Sequence, residues 1–173
     1  MTNFNKTTSF KRWIINRLIK IFPPTRFYEI KRKLLILGDI KIGDNCKIVS
    51  SARFIGNGPI KIGCKTFIGH EVLIIASNKA VKIGDNVDIA PRVLIANGTH
   101  EIDIYGERSA GQGLSKRITI GNGVWIGAGT IIISGVNIGE KSVIGAGSVV
   151  NKDIPNFSVA TGNPCRVIRR IIE

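Results

Sequence analysis

From Ile120 to Val150 an aliphatic residue returns every six positions: Ile120, Ile126, Ile132, Ile138, Ile144 and Val150, with Gly following four of them. Six residues advance an α-helix by about 600°, which scatters such a column over three faces instead of one stripe. The eight glycines between Gly121 and Gly147 would also weaken that helix, each by roughly 1 kcal/mol. One long strand would keep the column on a single face, but Gly pairs such as Gly127/Gly129 mark bends. The remaining geometry is a chain that turns a corner every six residues, so three short strands complete a coil. The pattern therefore predicts an all-β solenoid of hexapeptide repeats, a parallel β-helix whose axis is the aliphatic column.

The pattern extends upstream through Ile42/Ile48/Phe54, Ile62/Ile68/Ile74 and Ile83/Ile89/Ile95. Four positions after each, the residue is small or β-branched, as in Cys46, Thr66, Val87, Val124 and Ser142. Small side chains there let the sides of a narrow prism meet. The register slips near Pro59 and around Ser77–Val81, and breaks outright over the polar stretch Glu101–Arg117. Three segments follow: residues 1–37 as a basic helical cap, 38–155 as the β-helix with an insertion at 101–117, and 156–173 as a C-terminal tail and cap.

Charge changes the picture at the N-terminus. The chain has 173 residues and a net charge of +13, and residues 1–35 hold nine Lys or Arg against Glu29 alone. Phe10–Phe22 reads as a short amphipathic helix ended by Pro23-Pro24, and Arg26–Leu35 as a second helix capping the first coil. Two roles stay open for residues 1–24: packing with solvated charges, or docking on the anionic inner face of a membrane. Nucleic acid is not an expected partner, because these cations belong to no recognition motif. Cys46, Cys64 and Cys165 have neither disulfide nor metal spacing and read as reduced thiols. With no visible secretory signal and no apolar run of ~20 residues, the expectation is a cytoplasmic protein, peripheral at the membrane if the helix docks.

The repeat resembles the left-handed β-helix acyltransferases, also called hexapeptide-repeat transferases. Residues 118–170 are similar to galactoside, maltose and surface-polysaccharide O-acetyltransferases. The shared stretches are Ile120-Gly-Asn-Gly-Val-Trp-Ile-Gly127, Ile144-Gly-Ala-Gly-Ser-Val-Val150, Asn151-Lys-Asp-Ile-Pro155 and Gly162-Asn-Pro-Cys-Arg-Val-Ile168. The resemblance implies transfer of an acetyl group from acetyl-CoA, with no metal, to an acceptor such as a sugar hydroxyl of a cell-surface glycan. It also implies a homotrimer with sites between adjacent prisms. N-acetylation of a nucleotide-linked amino sugar and acetylation of an antibiotic are the other enzyme readings. A γ-class carbonic anhydrase shares the fold, but its metal needs three His and this chain has two.

Acetyl transfer needs a base for the acceptor proton, and imidazole suits the task because its neutral form dominates above about pH 6.5. By resemblance His100, in Ile95-Ala-Asn-Gly-Thr-His100, is that base. His70 faces either the same cleft or solvent. Glu101 and Asp103 are nearby carboxylates that could orient the imidazole. The pantetheine arm is expected beside Gly127, Ala128 and Ala146, whose other reading is as plain repeat corners. The CoA phosphates are expected at Lys152, Arg166 and Arg169, with Asn151 as a hydrogen-bonding neighbour. Trp125, outward-facing, lines the site or packs against a subunit. Tyr105 and Arg108, in the insertion, are candidate acceptor contacts.

Overall fold

The computed structural model describes residues 6–171. Its core is a three-sided prism of left-handed parallel coils. The first face stacks Ile40–Ile42, Ile60–Ile62, Val81–Ile83, Ile118–Ile120 and Asn137–Ile138. The second stacks Lys47–Ile48, Phe67–Ile68, Asp88–Ile89, Trp125–Ile126, Val143–Ile144 and Ser158–Thr161, and ends on the antiparallel strand Arg166–Arg170. The third stacks Arg53–Ile55, Leu73–Ile75, Leu94–Ala96, Ile131–Ile132 and Val149–Val150.

Pairing follows the sequence column. Ile42 lies beside Ile62, then Ile83, Ile120 and Ile138. The two register slips are absorbed between the third face and the next first-face strand, leaving the column unbroken. Every residue of this column, and of the columns led by Ile48 and Phe54, is buried. Each buried Ile contributes roughly 1.5–3 kcal/mol. Thr66, Ser142 and Ser158 sit inward without stranding a hydroxyl: Thr66 Oγ1 donates to the Gly84 carbonyl (2.9 Å) and Ser142 Oγ to that of Pro155 (2.7 Å).

The corners explain residues that look out of place. Between first and second faces Asn45, Lys65, Asn86, Gly123, Lys141 and Phe157 all have φ between 54° and 65°. That left-handed conformation strains a residue with a Cβ. It is held by the coil below: Lys65 N–H donates to Asp44 O (2.8 Å), Asn86 to Cys64 (2.9 Å) and Phe157 to Glu140 (2.9 Å).

Two helices precede the prism: α1, Lys6–Ile21, and α2, Tyr28–Leu37. The expectation of fully solvated basic residues fails at two of them. Thr8, Arg12, Ile15 and Ile19 form the buried stripe of α1, and Lys31 is buried in α2. Arg12 Nε donates to Gly38 O (3.2 Å), Nη1 to Gly56 O (2.7 Å) and Nη2 to Asp39 O (3.3 Å). Lys31 Nζ donates to Pro24 O (2.9 Å) and Ser50 Oγ (3.2 Å). The prism's open end leaves carbonyls with no coil beneath them, and Arg12 supplies donors to three, while Lys31 ties the linker between the helices to the first coil. Burial lowers the pKa of both, opposed at Arg12 by nearby Asp39. The outer face of α1 carries Phe10, Ile14, Leu18 and Ile21, all exposed. No helix among the described residues is long and apolar enough to cross a membrane.

Candidate active site

The insertion is a β-hairpin, not an open loop. It begins at Gly98, before the repeat visibly breaks, and pairs Gly98–Ile102 antiparallel with Ala110–Ser115. His100 sits opposite Gly113, exposed, just before an irregularity in the register. A Cβ added at Gly113 would lie 4.0 Å from the His100 ring atoms Cδ2 and Nε2. Gly113 thus leaves the cross-strand side of the imidazole open.

Fully buried Asn97 anchors this hairpin. Its Oδ1 accepts from Ser77 N–H (2.7 Å), its Nδ2 donates to Lys79 O, and its carbonyl accepts from Ser134 Oγ (2.8 Å). Ser134 Oγ also accepts from Lys116 N–H (3.0 Å), closing the far end of the hairpin. Neither Asn97 nor Ser134 stood out in the sequence. The available signal was a polar residue in a buried position where the repeat stops.

Of the two carboxylates that could orient the imidazole, Glu101 follows His100 on the same strand, and Asp103 is engaged by the backbone. Asp103 Oδ1 accepts from the N–H groups of Tyr105 (3.0 Å) and Gly106 (2.8 Å), and those bonds hold its carboxyl below the usual range. It shapes the hairpin turn. Among the described residues no hydrogen bond reaches the His100 ring. Tyr105 is 94% exposed and Arg108 is exposed beside it, at the hairpin tip.

Four of the remaining candidates lie on another edge. His70, Gly127, Ala128 and Ala146 stand at the corner between second and third faces, whereas the hairpin leaves the corner between third and first. His70 is exposed, with Nδ1 3.4 Å from Ser51 Oγ, and shares a shallow groove with Glu71, Pro91, Arg92, Ala128 and Gly129. Along this edge the corner residue changes from Glu71 and Arg92, joined by a 2.9 Å ion pair, to Gly129 and Gly147. A Cβ at either glycine would meet nothing within 4 Å, so the upper edge is bare. Ala128 and Ala146 are exposed along it. The Ala128 carbonyl already accepts from Gly147 N–H at 2.8 Å. Gly127 has a packing reason of its own: a Cβ there would lie 2.5 Å from Ala146 N.

Trp125 is 57% exposed on the second face, paired with Asp88 below and Val143 above. Asn151 and Lys152 lie exposed just past the last third-face strand. Arg166 and Arg169 lie exposed on the closing second-face strand, opposite Thr161 and Val159. All four belong to the same end of the prism. Among the described residues no cluster of three or more His, Cys, Asp or Glu could hold a metal ion.

Comparisons with known proteins agree with the repeat and the coiled fold. The model of the bacterial transferase hexapeptide (six repeats) family matches residues 117–152. A galactoside O-acetyltransferase of Escherichia coli (strain K12) is 45% identical over 130 residues, covering 75% of this chain and 63% of the relative. One from Lactococcus lactis subsp. lactis (strain IL1403) is 38% identical over 150 residues, covering 86% and 69%. A solved galactoside acetyltransferase in complex with coenzyme A superposes with a TM-score of 0.80 at 37% identity, covering 99% of this chain and 86% of that one. Two of the curated relatives are matched over only 57% and 63% of their length. Repeat, coil geometry and these similarities together establish that the chain belongs to the hexapeptide-repeat, left-handed β-helix acyltransferase family.

Proposed function

We propose that the protein transfers an acetyl group from acetyl-CoA to a sugar hydroxyl, as the names of its galactoside-acetylating relatives suggest, on a glycan of the cell surface. In this reading His100 takes the acceptor's hydroxyl proton while the acceptor oxygen attacks the thioester carbonyl. The C–S bond then breaks, and the imidazolium returns the proton to the departing thiolate. Pantetheine runs along Ala128 and Ala146. Lys152, Arg166 and Arg169 meet the phosphates, with Asn151 nearby.

The observation that carries the proposal is the division of His100 from Ala128 and Ala146, on two edges of one prism. A ring of copies brings one edge of a chain against a different edge of the next, and a trimer completes the site between chains. The third face, lying between the two edges, supports such contact. Apart from Arg53 in the first coil, its outward residues, Ile55, Leu73, Ile75, Leu94, Ile131 and Val149 among them, are apolar, whereas the first face presents Lys41, Lys61, Lys82, Thr119 and Asn137. The hairpin adds Ile102 and Ile104, 83% and 74% exposed, for a neighbour to cover. The test is thiol release from acetyl-CoA with methyl galactoside as acceptor. His100→Ala should lose turnover by about a hundredfold or more and keep CoA binding and oligomer size. Undiminished turnover would remove His100 from the chemistry.

The outer stripe of α1 favours one further reading, attachment to the inner face of a membrane in an otherwise cytoplasmic enzyme. Phe10, Ile14, Leu18 and Ile21 would enter the interface, with Lys11, Arg17 and Lys20 flanking them. Phe10→Ser/Ile14→Ser/Ile21→Ser should abolish co-sedimentation with phosphatidylserine vesicles. Equal sedimentation of both proteins would refute the attachment.

A further inference from the structure

Beside α1 the prism holds a cleft of about 770 Å³, lined by Trp13, Arg17 and Lys20 from the helix and by Ser51, Arg53 and Ile55 from the first coil, among others. Its floor is fixed. Asn16 Nδ2 donates to Phe54 O (2.8 Å) and its Oδ1 accepts from Phe54 N–H (3.1 Å), locking helix to coil. Its charge is one-sided. Arg17, Lys20 and Arg53 make no ion pair among the described residues, and the lining acid Glu71 is already bonded to Arg92 at 2.9 Å. Arg17 is held in place as well, its guanidinium carbon 4.2 Å from the centre of the Trp13 ring.

The cleft is continuous with the edge described above. Ser51 lines it, and Ser51 Oγ stands 3.4 Å from His70 Nδ1 and accepts from Glu71 N–H at 3.1 Å. A ligand filling the cleft therefore reaches the groove shared by His70 and Ala128. Three uncompensated cations around a half-open cleft favour a ligand that brings negative charge. A neutral sugar could accept hydrogen bonds from them but would leave their charge unanswered.

We propose that this cleft selects an acceptor bearing an anionic group, a carboxylate or phosphate, through Arg17, Lys20 and Arg53. The proposal rests on the acetyl-transfer reading and narrows its substrate class to acidic sugars. Three probes separate the sources: a sialic acid trimer for carboxylate, galactose 1-phosphate for phosphate, and methyl galactoside as the neutral reference. Binding is measured by calorimetry and turnover by thiol release, each at low and high salt.

At least one anionic probe should bind more tightly than methyl galactoside, with the advantage shrinking at high salt. Arg17→Gln/Arg53→Gln should cut that advantage by about 150-fold, the low end for two charged hydrogen bonds. Lys61→Gln/Lys82→Gln removes the same net charge from the first face and should leave the advantage in place. Which anionic probe binds identifies the group. Equal binding of neutral and anionic probes, or an advantage that survives Arg17→Gln/Arg53→Gln, overturns the proposal. Anionic binding lost in that variant, with no acetylation of any probe, upholds the cleft and sinks the acetyl-transfer reading instead.

Discussion

Replacing Arg12 with Met tests why a charge is buried beneath the first coil. Arg12 is 2% exposed, and its three donors serve the carbonyls of Gly38, Gly56 and Asp39. Two effects oppose each other. Methionine removes a guanidinium whose burial is unfavourable, and buried ion pairs replaced by apolar residues often leave stability unchanged or raised. Those gains require that the partners be replaced too. Here the partners are backbone carbonyls, which remain after the substitution with no coil below to satisfy them.

Each charged hydrogen bond contributes about 1.5–3 kcal/mol before the relief of desolvation is credited. The net loss should then be about 2–4 kcal/mol. Arg12→Lys, with one donor group, should fall between. The assay is urea unfolding followed by circular dichroism, with all proteins at one concentration because oligomerisation shifts apparent stability. A loss below about 1 kcal/mol, or a gain, would show that these carbonyls do not depend on Arg12.

Asp39 is held below the usual carboxylate range, first by its hydrogen bond from Thr8 and then by that from Lys11. A depressed folded pKa gives stability that is present above about pH 4 and lost as pH falls through the folded value. Asp39→Asn should therefore flatten the acid limb of the stability–pH curve below pH ~4, and an unchanged limb would contradict that. Gly127→Val should destabilise the prism by about 2–3 kcal/mol or prevent folding, because its Cβ meets the coil above. Gly129→Ala, which meets open space at a φ of +69°, should cost only about 1 kcal/mol; equal losses in thermal unfolding would refute the distinction. Gly113→Val should crowd the His100 ring and lower kcat while leaving the melting temperature nearly unchanged, and an unaffected kcat would mean that the ring is approached from another side.

The solenoid was legible because its cause is local and repeated. One aliphatic residue per side, a small residue four positions on, and glycine where coils touch suffice to dictate a three-sided coil. Both register slips could be read for the same reason. The hairpin was not, since Gly98–Ile102 and Ala110–Ser115 are exposed throughout or nearly so and carry no apolar alternation. Arg12 and Lys31 looked solvated because basic residues on a short helix usually are; Arg12 is buried against carbonyls at the end of the solenoid and Lys31 against Pro24 and Ser50, partners that no nearby residue announces. Asn97 was hidden similarly, its partners lying 18–37 residues away in sequence. For the candidate site, the resemblance supplied residue types and the fold supplied the separation of His100 from Ala128 and Ala146 onto two edges.

That separation is tested most directly by mixing two inactive variants. His100→Ala spoils the hairpin edge, and Ala146→Trp blocks the bare edge, each leaving the other edge intact. In randomly mixed trimers each side of a site is intact in half of the cases, so about a quarter of wild-type turnover should return. Such recovery is the expected result. Confirmed mixed trimers that stay inactive would contradict a site shared between chains.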